Sequence, residues 1–200
     1  MRTFASTYDR DTQGRVLFPH DTKLRSLLFP LTDSTEHIAK ANMLMVKELV
    51  EFVSEEGDLI LDPFAGTGTI LVALTLWRRA IMIELEEHYQ NIIIQNIKGI
   101  KGIFPDADEF ATLIPGDANK VLPINDFCDH LIFSPPYPMG LKKKGQMDKT
   151  SIDLGYESAV DYSTSPENFT NMNSFMYHQR IELFDKKCFQ TLTPGGTMTV

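Results

Sequence analysis

Cysteine is scarce in this chain. Only Cys128 and Cys188 occur in 200 residues, their separation is not that of a metal site, and a reduced buried pair is expected rather than a disulfide. Also missing is any apolar run approaching the roughly 20 residues a bilayer span needs. Charged Arg2, Asp9, Arg10 and Asp11 stand where a signal peptide would be apolar, so a cytoplasmic protein without a membrane partner is expected. Excess positive charge is lacking too. The net charge of −8 works against a polyanionic partner, because neutralising phosphates supplies much of the affinity for nucleic acids. Distribution matters beside the total, and basic residues gather at Arg10, Arg15, Lys23 and Arg25 and again at Lys142, Lys143 and Lys144, as phosphate patches or as solvated faces. There is no internal repeat. What is present is a 42% hydrophobic content, enough for one core and one domain.

Residues 1–34 carry scattered Pro, Asp and Thr without periodicity and read as an irregular N-terminal arm ahead of a domain over 35–200. From Ile38 to Val53 the apolar Ala41, Leu44, Met45, Leu49, Phe52 and Val53 recur at helical spacing, and Gly57-Asp58 marks a turn. The short apolar run 59–61 predicts a buried strand. A helix over 69–78, a strand over 80–83 ending at Glu84 and a helix over about 86–97 follow, then strands over 112–114 and 130–133. The last helix is expected over 174–192, carrying Phe175, Ile181, Leu183, Phe184, Cys188 and Leu192, before a strand over 198–200. Alternating strands and helices imply a doubly wound, mostly parallel α/β sheet with right-handed crossovers. The polar stretch 139–173 breaks that rhythm and reads as a substrate-side loop.

Four segments carry chemistry. Asp62-Pro63-Phe64-Ala65-Gly66-Thr67-Gly68-Thr69 joins a strand to a helix, where glycines let the backbone approach a ligand outside the carboxyl ends of the strands. It is not the G-x-G-x-x-G dinucleotide pattern. Glu84, followed by Leu85, ends the next strand and could accept both hydroxyls of a ribose. Gly116-Asp117-Ala118 places a third carboxylate after a strand, able to accept from an adenine amino group; Asp after Gly is also ordinary turn chemistry. Ser134-Pro135-Pro136-Tyr137 is the most specific. Its prolines fix an extended backbone and leave carbonyls free as acceptors. Two acceptors on the hydrogens of a base amino group would localise its lone pair, while the tyrosine ring stacks on the base.

With these residues in this order, the chain resembles the S-adenosylmethionine-dependent amino-group DNA methyltransferases, which modify cytosine N4 or adenine N6, over roughly residues 35–200. The resemblance implies a Rossmann-like sheet of the class I methyltransferase type, with C-terminal strands beyond the end of this chain. It implies that Asp62, Pro63, Phe64, Ala65, Gly66, Thr67, Gly68 and Thr69 form the cofactor turn. Asp62, Phe64, Ala65 and Gly66 would line the methionine end of S-adenosylmethionine, Glu84 its ribose and Asp117 its adenine, with Leu85 and Ala118 also among the cofactor-binding residues. Glu36-His37-Ile38-Ala39-Lys40 looks like a further cofactor-side motif, with His37 and Lys40 serving either the cofactor or the structure. Ser134, Pro135, Pro136 and Tyr137 would hold the target base, and no metal is implied. In this family a catalytic motif opening with Ser belongs mostly to cytosine-N4 enzymes.

The expected partner is therefore DNA, with a cognate restriction enzyme as a possible companion. An adenine-N6 enzyme, an RNA or tRNA base methyltransferase and a non-catalytic cofactor-binding module remain as alternatives.

Overall fold

A computed structural model describes residues 3–32, 40–136, 168, 169 and 172–200. Five strands, β1 (Leu59–Asp62), β2 (Arg79–Glu84), β3 (Ala111–Pro115), β4 (Cys128–Ile132) and β5 (Leu192–Thr199), form one sheet in the order β3-β2-β1-β4-β5. Every pairing is parallel. The chain builds outward from β1 through β2 to β3, then returns to lay β4 on the other side of β1. This reversal between β1 and β4 is where an open α/β sheet leaves a crevice at its carboxyl edge.

Side chains alternate across the strands as the period of two requires. Ile60, Met82 and Ile132 enter one core with α2 (Met43–Val53), a 3₁₀ helix (Thr69–Leu76) and α3 (Glu87–Ile100). Leu61, Ile83 and Leu131 enter the other, against α5 (Ala118–Val121) and α6 (Ser174–Thr191). The sheet is thus covered on both faces, and its carboxyl edge is left for function. No helix of the described residues is long and apolar enough to cross a membrane.

Several boundaries differ from the sequence reading. Helix α2 is described from Met43, because the Asn42 side chain caps it by accepting from the Leu44 and Met45 N–H groups. The helix after the Gly-rich turn is a 3₁₀ helix and stops at Leu76, where left-handed Trp77 (φ 59°) returns its N–H to the Ala73 and Leu74 carbonyls. Two single-turn helices, α4 (Ala107–Phe110) and α5, escaped the reading because four residues display no period. Strand β5 begins earlier than expected. Leu192 pairs with Cys128 and Thr197 with His130, and the extra residues between them bulge out of register. Gly196 is required there, since a Cβ at this position would lie 2.6 Å from the Asp129 carbonyl oxygen.

The arm is the largest departure from expectation. Rather than irregular throughout, it contains α1 (Thr22–Leu28), and Arg25, read as part of a basic patch, is 1% exposed. Its guanidinium pairs with Asp21 at 2.7 Å and donates to the Ala41 carbonyl at 2.8 Å and to Thr69 Oγ1 at 3.3 Å. Burial acts to raise the Asp21 carboxyl, but the Met43 N–H and Arg25 together hold it below the usual carboxylate range. Arg10 donates to the Gly14 and Phe4 carbonyls, and Arg15 pairs with Asp11. Arg10 and Arg15 thus meet partners within the arm while staying exposed. Arg25→Met is expected to destabilise the chain by about 3–5 kcal/mol, the cost of stranding one partner of a buried pair, as read from the urea midpoint. A loss below about 1 kcal/mol, typical of an exposed pair, would contradict it.

Candidate active site

The carboxyl edge is built by register. Asp62 closes β1 opposite Met82; two residues on, Glu84 closes β2 opposite Pro115, and Gly116-Asp117 follow directly. Three successive strands therefore each carry a carboxylate at the last residue or within two residues of it. Asp62, Glu84 and Asp117 are 9%, 7% and 8% exposed.

The Gly-rich turn is folded back on β2 by the second of these groups. Glu84 Oε2 accepts from the Gly66 N–H at 2.7 Å, Oε1 accepts from the Glu86 N–H at 2.9 Å, and the Ala65 N–H donates to the Ile83 carbonyl at 3.1 Å. Gly66 and Gly68 have φ of 53° and 79°, in the left-handed region that glycine adopts without steric cost. A Cβ on Gly68 would also press on Ile93 at 3.2 Å. Pro63 and Ala65 are buried, while Phe64 and Thr67 are half-buried. Leu85 is tied through its carbonyl to Gln90, which also holds the Glu84 carbonyl. Asp62 Oδ1 accepts from the Phe64 N–H at 3.0 Å. Its other oxygen accepts no hydrogen bond among the described residues.

Burial pushes the Asp62 carboxyl up to about 7, with Glu84 adding repulsion. Burial likewise raises Glu84 to about 7, against the Glu86 and Gly66 N–H groups that favour its charge. In the unfolded chain both titrate near 4. The folded chain therefore binds more protons between about pH 4 and pH 7, and stability falls as pH rises through that window. Asp62→Asn removes one of the two titrations. Its melting temperature in the absence of ligand is expected to fall less than that of wild type between about pH 5 and pH 8; parallel melting curves across that range would count against it.

Two residues that the sequence reading missed support the turn from behind. Asn96 donates from Nδ2 to the Thr67 carbonyl at 2.8 Å and accepts from Thr32 Oγ1 at 2.7 Å. Arg25 reaches Thr69, the first residue of the 3₁₀ helix. Asn96 had a signal: it falls on the buried stripe Tyr89, Ile92, Ile93, Asn96 and Ile100 of α3, and a polar residue in such a stripe needs partners. Arg25 had only its i,i+4 spacing from Asp21.

Asp117 caps α5, and Ala118 is buried as that helix's first residue. On the other side of the crevice β4 runs out through buried Phe133 into Ser134, which is exposed, buried Pro135 and half-buried Pro136. Phe133 packs near Phe64 and Phe184, at ring-centroid distances of 5.8 and 6.1 Å. Because β4 lies beside β1, the Pro-Pro turn emerges one strand from Asp62. Tyr137, His37, Lys142, Lys143, Lys144, Tyr156 and Tyr162 lie outside the described residues, as does most of 139–173; Lys40 is described and half-buried. Cys128 and Cys188 are free, buried thiols pushed up by burial to about 12, and Cys128 begins β4 at the edge away from Ser134. No group of three or more potential metal ligands occurs among the described residues.

The parallel sheet with its reversal between β1 and β4, and carboxylates at or just after the ends of β1, β2 and β3, is a doubly wound, Rossmann-like fold. Over residues 12–95 the chain matches the family model described as DNA methylase, of the N6 and N4 type, and the resemblance to the amino-group DNA methyltransferases holds in that segment. It is 35% identical over 66 residues to the type II methyltransferase M.HindIII of Haemophilus influenzae, a match covering 32% of this chain and 21% of that protein. The chain thus spans about a fifth of that relative's length. Among solved structures it is similar to the glycopeptide N-methyltransferase MtfA, with 13% identity, a TM-score of 0.47, and coverage of 81% of this chain and 53% of the other. It is also similar to a conserved hypothetical protein of Streptococcus pyogenes, with 28% identity, a TM-score of 0.35, and coverage of 41% and 50%.

Proposed function

We propose that the protein carrying this chain transfers a methyl group from S-adenosylmethionine to an exocyclic amino group of a DNA base, with cytosine N4 as the first choice. The observation that carries the reading is the line of buried carboxylates Asp62, Glu84 and Asp117, beside the exposed Ser134 hydroxyl at the end of β4. The donor set fits the cofactor. Asp62 has a buried carboxylate oxygen with acceptor capacity to spare, suited to an ammonium group, and Glu84 and Asp117 stand one and two strands further along, where hydroxyl and amino donors of a nucleoside can be met. The turn residues Pro63 to Thr69 bring the backbone close, with Leu85 and Ala118 as apolar neighbours and His37 and Lys40 assigned to the same side. When bound, S-adenosylmethionine supplies an electrophilic methyl group on a positively charged sulfur.

Ser134 and the Pro135 carbonyl accept the two hydrogens of the target amino group and localise its lone pair, and Tyr137 stacks on the base. A base inside a duplex cannot reach this edge, so it is flipped out before reaction. Neither thiol takes part, since both are protonated at neutral pH and lie outside the Pro-Pro turn. The Ser-first motif supports cytosine over adenine. A cognate restriction enzyme belongs to the same proposal, as the nuclease that methylation would hold off.

Transfer of labelled methyl from S-adenosylmethionine by the full-length protein to duplex DNA and to tRNA tests the reading. Label in DNA is expected. Label in tRNA alone would move the function to RNA base methylation, and cofactor binding without transfer to either would leave a binding module.

A further inference from the structure

The two carboxylate oxygens of Asp117 have unlike surroundings. Oδ1 accepts from the Asn119 N–H at 2.9 Å and from Asn119 Nδ2 at 3.2 Å, the bonds that start α5. Oδ2 faces α6, 3.5 Å from Arg180 Nη2. The Arg180 guanidinium carbon lies 5.1 Å from the centroid of the Phe169 ring. Phe169 is 2% exposed and packs edge-on to Phe64 of the Gly-rich turn and to Phe184, at 5.5 and 6.0 Å between centroids. A guanidinium is planar, with its donors in that plane, so a ring locked beneath it restricts the directions from which it can meet Oδ2. The end of β3, the segment ahead of α6 and α6 itself thus converge on one carboxylate oxygen.

We propose that Arg180 is a positioning residue for cofactor specificity: it fixes Asp117 Oδ2 as an acceptor of set direction, so that the site selects a purine presenting an exocyclic amino group over one presenting a carbonyl. The inference rests on the reading of this edge as the S-adenosylmethionine site with Asp117 at the adenine. A carboxylate oxygen can accept more than one hydrogen bond, so contact with Arg180 leaves Oδ2 able to accept from a 6-amino group. A 6-oxo group in the same place would direct a second acceptor at Oδ2, and the two oxygens would repel. Without Arg180 the Asn119 bonds to Oδ1 persist and α5 stays capped, but Oδ2 loses both its neutralising charge and its fixed direction. At Asp117 the loss falls on the oxygen that reads the base, and the Phe169 ring loses the cation beside it.

Calorimetric titration of the full chain with S-adenosylhomocysteine and with S-inosylhomocysteine, whose purine carries the 6-oxo group, tests this. Wild type is expected to prefer the adenosyl ligand. Arg180→Gln should bind S-adenosylhomocysteine about ten-fold more weakly, in keeping with the loss of support to a charge-assisted hydrogen bond, and the inosyl ligand within about two-fold of wild type, so the preference falls about ten-fold. Arg180→Lys, which keeps the charge but not the stacked plane, should recover part of the preference. An unchanged ratio in the Gln variant, or equal weakening of both ligands together with a lower melting temperature, would overturn the role of Arg180 and leave the cofactor reading standing. A wild-type chain that binds neither ligand would overturn both.

Discussion

Alanine at Glu84 is expected to weaken the binding of S-adenosylhomocysteine by about a hundred-fold, roughly 2.7 kcal/mol. The residue acts twice. It is the acceptor assigned to the ribose, and it also clamps the cofactor turn by accepting from the Gly66 and Glu86 N–H groups. Alanine leaves both partly buried backbone donors without this partner, at up to roughly 1–3 kcal/mol each, so the melting temperature should fall along with affinity. Glu84→Gln separates the two effects. Its carbonyl oxygen can keep one of the two clamp bonds, while its amide nitrogen points a donor at the other N–H, so an intermediate loss is expected. Calorimetry with S-adenosylhomocysteine and thermal unfolding on the same samples give the result; wild-type affinity in both variants would remove the cofactor assignment.

Ser134→Ala is expected to do the reverse, slowing methyl transfer by about a hundred-fold, the lower range for losing one polar group aimed at the reacting centre, while leaving cofactor affinity within about two-fold. Ser134 is exposed just beyond the end of β4, on the strand beside β1, and is assigned to the base and not to the cofactor. Tyr137→Ala should follow the same pattern through lost stacking. Single-turnover rates beside binding constants measure the split. Near-normal turnover in the Ser134 variant would mean that the Pro-Pro turn serves the backbone and not the base.

What the sequence disclosed follows from which interactions are local. Leu59-Ile60-Leu61 followed by Asp62-Pro63-Phe64-Ala65-Gly66-Thr67-Gly68 is a strand and a turn written in consecutive residues, and Glu84 and Asp117 are legible because each follows its own apolar strand. Helix α6 was legible as a helix but not by its face. Of the apolar residues it carries, Phe175 and Leu183 are 69% and 60% exposed; the buried stripe is Tyr177, Phe184 and Cys188, with Ile181 packed against it, and a mixture of apolar and charged residues on all sides hides which stripe meets the sheet. Arg25 was read as surface charge because its partners Ala41 and Thr69 lie 16 and 44 residues away. The pairing of Arg180 with Asp117 spans 63 residues and has no local trace. Such contacts arise only when the sheet order brings α6 to the end of β3.

The central claim is that the product is a base methylated on its exocyclic amino group. Nucleoside mass spectrometry of DNA incubated with the full-length protein and isotopically labelled S-adenosylmethionine tests it most directly. The account predicts labelled N4-methylcytosine, lost in the Ser134→Ala variant. Labelled 5-methylcytosine, or no labelled nucleoside from DNA with a protein that binds the cofactor, would contradict it.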